Sequence, residues 1–222
     1  MCSRKWFFPT HGRIGTVPAN NVSVVSNDQE LIVSGEMRET ALFGSNLVLK
    51  REIKSKVFSN ELEINDVIIN NGNNDEYVYY LYHINFGYPF LDENIKIISD
   101  TVSATPRDKE AEEQMHLLDG FQKPYDDAKE AVFFRKLKDE NGISRISIVN
   151  DKLNIKATIE YENKYLPNLV QWSSTESNDY ALGLEPTNTK VQGRLHELND
   201  NKFVLKKNEK IEIKVKLIFE KM

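Results

Sequence analysis

The chain has 222 residues, 40% hydrophobic and 28% charged, with a formal net charge of −5 and a pI near 5.5. That length can bury a substantial core, and the mild acidity gives no electrostatic basis for binding nucleic acid or an anionic membrane. The single cysteine, Cys2, closes no internal disulfide, the apolar run Trp6-Phe7-Phe8 is too short for a signal-peptide core, and nothing approaches the roughly 20 apolar residues of a membrane span, so a soluble, cytoplasmic protein is expected.

Strand patterns dominate from the start. Alternating or β-branched runs occupy residues 22–25, 30–35, 46–58, 61–69 and 77–86. Turn chemistry separates them, at Ser26-Asn27-Asp28 and in the Asn-rich stretch 70–75. Residues 106–118, "PRDKEAEEQMHLL", form the one helix candidate, with acids early and good helix formers throughout. Further strands are predicted at 131–138, 144–150, 153–161, 168–173, 180–184 and 210–219, with Asn141-Gly142 as a hairpin turn. In "KIEIKVKLIFEKM" apolar residues alternate with Lys and Glu, so one face meets a core and the other meets water. About a dozen strands at hairpin spacing with one short helix predict an all-β protein of stacked antiparallel sheets.

Candidate chemistry begins with four histidines. His116, in the helix candidate, and His196, in "RLHELNDNK", read as solvated surface groups. His83 differs, because "YYLYHINFGYPF" places it in an aromatic and aliphatic strand that should be mostly buried. A buried imidazole needs partners for both ring nitrogens, as a structural residue or as a poised acid–base group. Glu185 ends the apolar run "DYALGLEPTN". It is either a turn glutamate facing water or a carboxylate whose burial raises its pKa toward that of a general base. Trp172, Phe133, Phe134, Phe86 and Tyr88 are core residues or the walls of a sugar pocket. Arg13 and Arg38 are the basic groups placed to hold an anion or hydroxyl, with a surface ion pair as the alternative. No phosphate-cradling loop, nucleophile elbow or metal-ligand cluster is present in the sequence.

The ordered segments "HGRIGTVPAN", "SGEMRETALFGSNLVLKREI", "LYHINFGYPFLDE", "SATPRD", "EAVFF" and "LGLEPTN" closely resemble a bacterial family of aldose 1-epimerase-like proteins of the galactose mutarotase-like superfamily. The likeness runs from about residue 9 to the C-terminus. It implies an antiparallel β-supersandwich with a sugar cleft on one sheet, and acid–base opening and reclosure of the sugar ring without a cofactor. The glutamate of the mutarotase C-terminal motif matches Glu185, as base. The histidine of the "NHxYFNL"-type strand matches His83 in "YHINF", as acid. The histidine of the "LHGG"-type motif matches His11 in "THGRIG", as a substrate contact. The sugar-binding aspartate of the "DHNF"-type segment aligns with Glu130 in "EAVFF". Arg13, Trp172 and Asp179 complete the expected pocket.

Length is the main departure. Members of that family carry further strands ahead of the "HGRIG" motif, so the expectation is an N-terminally truncated sandwich. Residues 1–8 would be an extension and 9–222 a single mutarotase-like domain. The partner is expected to be a small-molecule sugar, with self-association or an N-terminal partner fragment covering the faces left open. A non-catalytic carbohydrate-binding or sensing module, or an inactive fragment, are the alternative readings.

Overall fold

The computed structural model describes residues 12–191, 193 and 203–222. Sixteen strands are present among them. A long antiparallel sheet runs in the order β1 (Asn20–Ser26), β2 (Glu30–Thr40), β3 (Asn46–Lys56), β4 (Glu61–Asn70), β16 (Lys210–Lys221), β12 (Ile155–Glu162), β11 (Ile143–Asn150) and β10 (Asp139–Glu140), with β7 (Ile95–Ser99) also pairing with β11. A second antiparallel sheet runs β6 (Ile84–Gly87), β14 (Ala181–Thr187), β13 (Asn168–Ser174), β9 (Ala131–Leu137) and β8 (Thr101–Pro106). A small ribbon joins β5 (Glu76–Tyr77) to β15 (Val204–Leu205).

The two large sheets share one core. Alternate residues of β16, Ile211, Ile213, Val215 and Leu217, turn inward beside Ile146, Ile148, Ala157 and Ile159, and meet Phe86, Leu169, Leu182 and Leu184 of the shorter sheet. The alternation in "KIEIKVKLIFEKM" is thus a sandwich strand with one wet face. The core does not extend evenly along the long sheet. On one inward row Val215 is fully buried, Ile64 and Ile53 are half-buried, and Val24 at the outer strand is 62% exposed.

Local departures from the predicted elements have identifiable causes. The run 77–86 is not one strand. Glu76–Tyr77 and Ile84–Gly87 form its strands, and between them Leu81 makes an isolated bridge to Thr187 while single backbone bonds and the Asn188 side chain hold the rest. The helix over 106–118 contracts to α1 (Lys109–Glu113) followed by a 3-10 turn at Met115–Leu117. Pro106 ends edge strand β8, where a missing N–H is tolerated, and Asp108 caps α1 by accepting from Ala111 N–H at 2.9 Å. Asn141-Gly142 does turn a two-residue hairpin between β10 and β11, with φ of +53° and +83°, the left-handed pair such turns require.

Candidate acid–base site

The site forms on the face of the shorter sheet turned away from the common core. In β14 Leu182 and Leu184 point into the core, so period 2 sends Gly183 and Glu185 to the opposite face. Register then selects their neighbours. Gly183 stands opposite Asn85 of β6 on one side and Trp172 of β13 on the other, and Glu185 stands opposite Val170. His83 shares the parity of Asn85 and comes alongside Glu185. Its Nε2 lies 3.2 Å from Glu185 Oε1.

Backbone clips fix this pairing. Tyr82 N–H donates to Pro186 O at 3.0 Å, Thr187 Oγ1 donates to Tyr80 O at 2.8 Å, and the Asn188 amide bonds Val78 O and Tyr80 N–H at 2.8 and 3.0 Å. The chain after Glu185 thus stitches itself to the chain before His83. From behind, Tyr82 O–H donates to Asp66 Oδ2 at 2.7 Å, and Arg51 grips the same carboxylate through Nε and Nη2 at 2.8 and 2.6 Å. Asp66 is 2% exposed, so the guanidinium compensates a charge that would be costly alone. Its hydrogen bond with Asp66 holds the Arg51 pKa above its ordinary value.

Glu185 is 3% exposed. Its Oε1 accepts no hydrogen bond, because His83 Nε2 is near but off the donor direction. Desolvation is the cause that raises the carboxyl from 4.5 to about 7. Gly183 makes room for this oxygen: a Cβ there would lie 2.6 Å from Glu185 Oε1, 3.1 Å from Asn85 Oδ1 and 3.4 Å from Trp172 Cε3. The carboxylate therefore rests over a glycine floor between an amide, an indole and an imidazole.

The histidine is not buried as the apolar run suggested. Its side chain is 32% exposed, because Tyr82, Ile84 and Phe86 take the inward positions and leave His83 and Asn85 outward. Nδ1 meets Asn85 Oδ1 at 2.8 Å, and the ring stands edge-on to Trp172 with centroids 6.0 Å apart. Trp172 Nε1–H donates to Glu130 Oε2 at 2.8 Å, and Arg107 Nη2 donates to Glu130 Oε1 at 2.7 Å. The Trp172 and then the Arg107 hydrogen bonds hold the Glu130 carboxyl below its ordinary range. Arg107 Nε in turn donates to Asp108, the cap of α1.

The structure thus brings Glu185, His83, Trp172 and Glu130 into one contiguous cluster. Arg13 instead donates to Glu39 Oε1 on β2 at 2.8 Å, and Asp179 is exposed in the turn joining β13 to β14. His11 and His196 lie outside the described residues. Three members were not anticipated: Asn85, Gly183 and Arg107. All three fall inside segments quoted above, "YHINF", "LGLEPTN" and "SATPRD", but an amide, a glycine and an arginine carry no signal until register places them. Among the described residues no three His, Cys, Asp or Glu side chains are grouped to hold a metal ion, and no helix is long and apolar enough to cross a membrane.

A family model described as Domain of unknown function (DUF4432) matches residues 3–218. No curated protein matches the chain. Among solved structures, one from Klebsiella pneumoniae described as a "putative aldose 1-epimerase" is similar with a TM-score of 0.87 and 25% identity, covering 94% of this chain. The chain spans 56% of that protein's length. A galactose mutarotase-like protein from Clostridium acetobutylicum gives 0.64 at 16% identity over 93% of this chain and 67% of its own. A GalM/aldose epimerase homologue from C. elegans gives 0.59 at 12% identity over 91% and 69%. The fold is that of the galactose mutarotase-like antiparallel β-sandwiches.

Proposed function

For this chain, which belongs to the DUF4432 family, we propose an aldose 1-epimerase-type activity: interconversion of the anomers of a small sugar by acid–base ring opening. The observation that carries it is the 3.2 Å approach of His83 Nε2 to Glu185 Oε1 on the sheet face turned away from the common core. O1 and O5 of a cyclic aldose are bonded to the same carbon, so two groups that almost touch can address both oxygens at once.

Glu185, as carboxylate, takes the proton from O1–H. Imidazolium His83 gives its Nε2 proton to O5 as the C1–O5 bond breaks, leaving an open-chain aldehyde, a protonated Glu185 and a neutral His83. Rotation about C1–C2 and the reverse transfers reclose the ring on either face and restore both groups. A carboxyl at about 7 suits this exchange, since its proton is easily taken and easily returned near neutral pH. Trp172, held by Glu130, offers an apolar edge for the C–H face of a sugar.

The test is NMR exchange spectroscopy on a panel of free aldoses with the wild type and Glu185→Gln. The expected loss of catalysed exchange is about 10²–10⁴-fold. Equal rates in the two proteins would overturn the assignment, and saturable sugar binding without accelerated exchange would favour a binding module.

A further inference from the structure

Ring reclosure places a demand on His83 that Glu185 does not meet. After donating to O5 the imidazole is neutral, and it can take the O5 proton back only if its remaining hydrogen is on Nδ1 and Nε2 is bare. A neutral imidazole with the hydrogen on Nε2 would present a donor where an acceptor is needed.

Asn85 stands where it can decide between the two. Its amide oxygen faces His83 Nδ1 at 2.8 Å. An amide oxygen only accepts, so this bond exists only when Nδ1 carries the hydrogen. The backbone keeps the pair in place: Asn85 and Gly183 are register partners in β6 and β14, and the absent Cβ of Gly183 leaves space for Asn85 Oδ1, which a methyl there would approach at 3.1 Å. Nε2 is left on the Glu185 side of the ring, 3.2 Å from Oε1.

We infer that Asn85 is a positioning residue that fixes the Nδ1–H tautomer of His83, leaving Nε2 as the atom that gives and recovers the working proton. The inference rests on the epimerase reading for its purpose, but the tautomer exists and can be measured whether or not a sugar is turned over.

The experiment is long-range ¹H–¹⁵N correlation on the full chain with ¹⁵N-histidine, at a pH where His83 is neutral, its signals assigned by their loss in His83→Gln. The wild type is expected to show a pyrrole-type Nδ1 and a pyridine-type Nε2. Asn85→Ala should move the tautomer ratio about two- to twelvefold toward Nε2–H, the equivalent of one neutral hydrogen bond. Asn85→Asp, whose carboxylate accepts from the same nitrogen, should restore Nδ1–H. If aldose exchange is detected, Asn85→Ala should lower kcat with KM nearly unchanged, and Asn85→Asp should recover part of the loss. A wild-type His83 with hydrogen on Nε2, or a tautomer ratio unmoved in Asn85→Ala, would overturn the inference. Absence of sugar turnover with the expected tautomers would overturn the epimerase reading and leave this one standing.

Discussion

Replacing Glu185 by glutamine keeps the shape of the side chain and removes the charge that burial penalises, which makes the desolvation argument measurable as stability. The folded carboxyl titrates at about 7 against an ordinary 4.5. Between those values the folded chain holds a proton that the unfolded chain has released, so unfolding free energy falls as pH rises. The displacement corresponds to at most about 3 kcal/mol, present below pH 4.5 and lost by the time pH passes 7. At 3% exposure little of this is screened by water, but a protonated His83 at 3.2 Å would offset part of it, so we expect about 1–3 kcal/mol. Glutamine has no such titration. The stability of Glu185→Gln minus that of the wild type should therefore grow by about 1–3 kcal/mol from pH 5 to pH 8, read from urea unfolding at four pH values. The subtraction cancels the titrating groups that do not interact with Glu185. A difference flat or falling with pH would refute the reasoning, since it would mean a carboxylate already ionised and satisfied in the fold. In the active-enzyme reading, the same titration makes kcat/KM rise through pH 7 as the base form accumulates.

Other expectations test the surroundings of this group. Gly183→Ala places a methyl 2.6 Å from Glu185 Oε1; alanine in a strand interior ordinarily gains about 0.5–1 kcal/mol over glycine, so a lowered Tm with lost aldose exchange is expected, and a gain in Tm with full activity would contradict the close approach. Arg51→Met strands the buried Asp66 carboxylate and should cost about 3 kcal/mol in chemical denaturation, whereas the double change Arg51→Met with Asp66→Leu should recover much of it. Asp108→Ala removes the cap of α1 and one anchor of Arg107, and should cost about 1 kcal/mol, read by the same method.

Much of the sandwich was legible because hairpin strands carry their own period and their own turns. β3 and β4, β11 and β12, and β13 and β14 are local pairs whose alternation and turn residues stand side by side in the chain. What could not be read were the places where one extended run serves two sheets. Ile95–Ser99 pairs in the long sheet and Thr101–Pro106 in the short one, so Asp100 alone marks the change. No residue type announces such a corner.

The site follows the same division. Glu185 and His83 each stood out as polar residues in apolar runs, yet nothing in either run says that they meet. Their meeting depends on β6 pairing with β14, a long-range register, and on Thr187 and Asn188 binding the backbone of residues 78–80. The resemblance to the mutarotase motifs named both residues because it carries the outcome of that register without its cause. It pointed to Glu130 as a sugar contact, and in the fold each oxygen of Glu130 accepts one bond, from Trp172 and from Arg107. Glu185 faces away from the core, where a strand carboxylate ordinarily meets water and keeps its usual pKa. It is dry here because Asn85, His83 and Trp172 stand around a glycine on three neighbouring strands. The raised pKa is thus a property of their arrangement, and a single change of register would abolish it while leaving every local pattern intact.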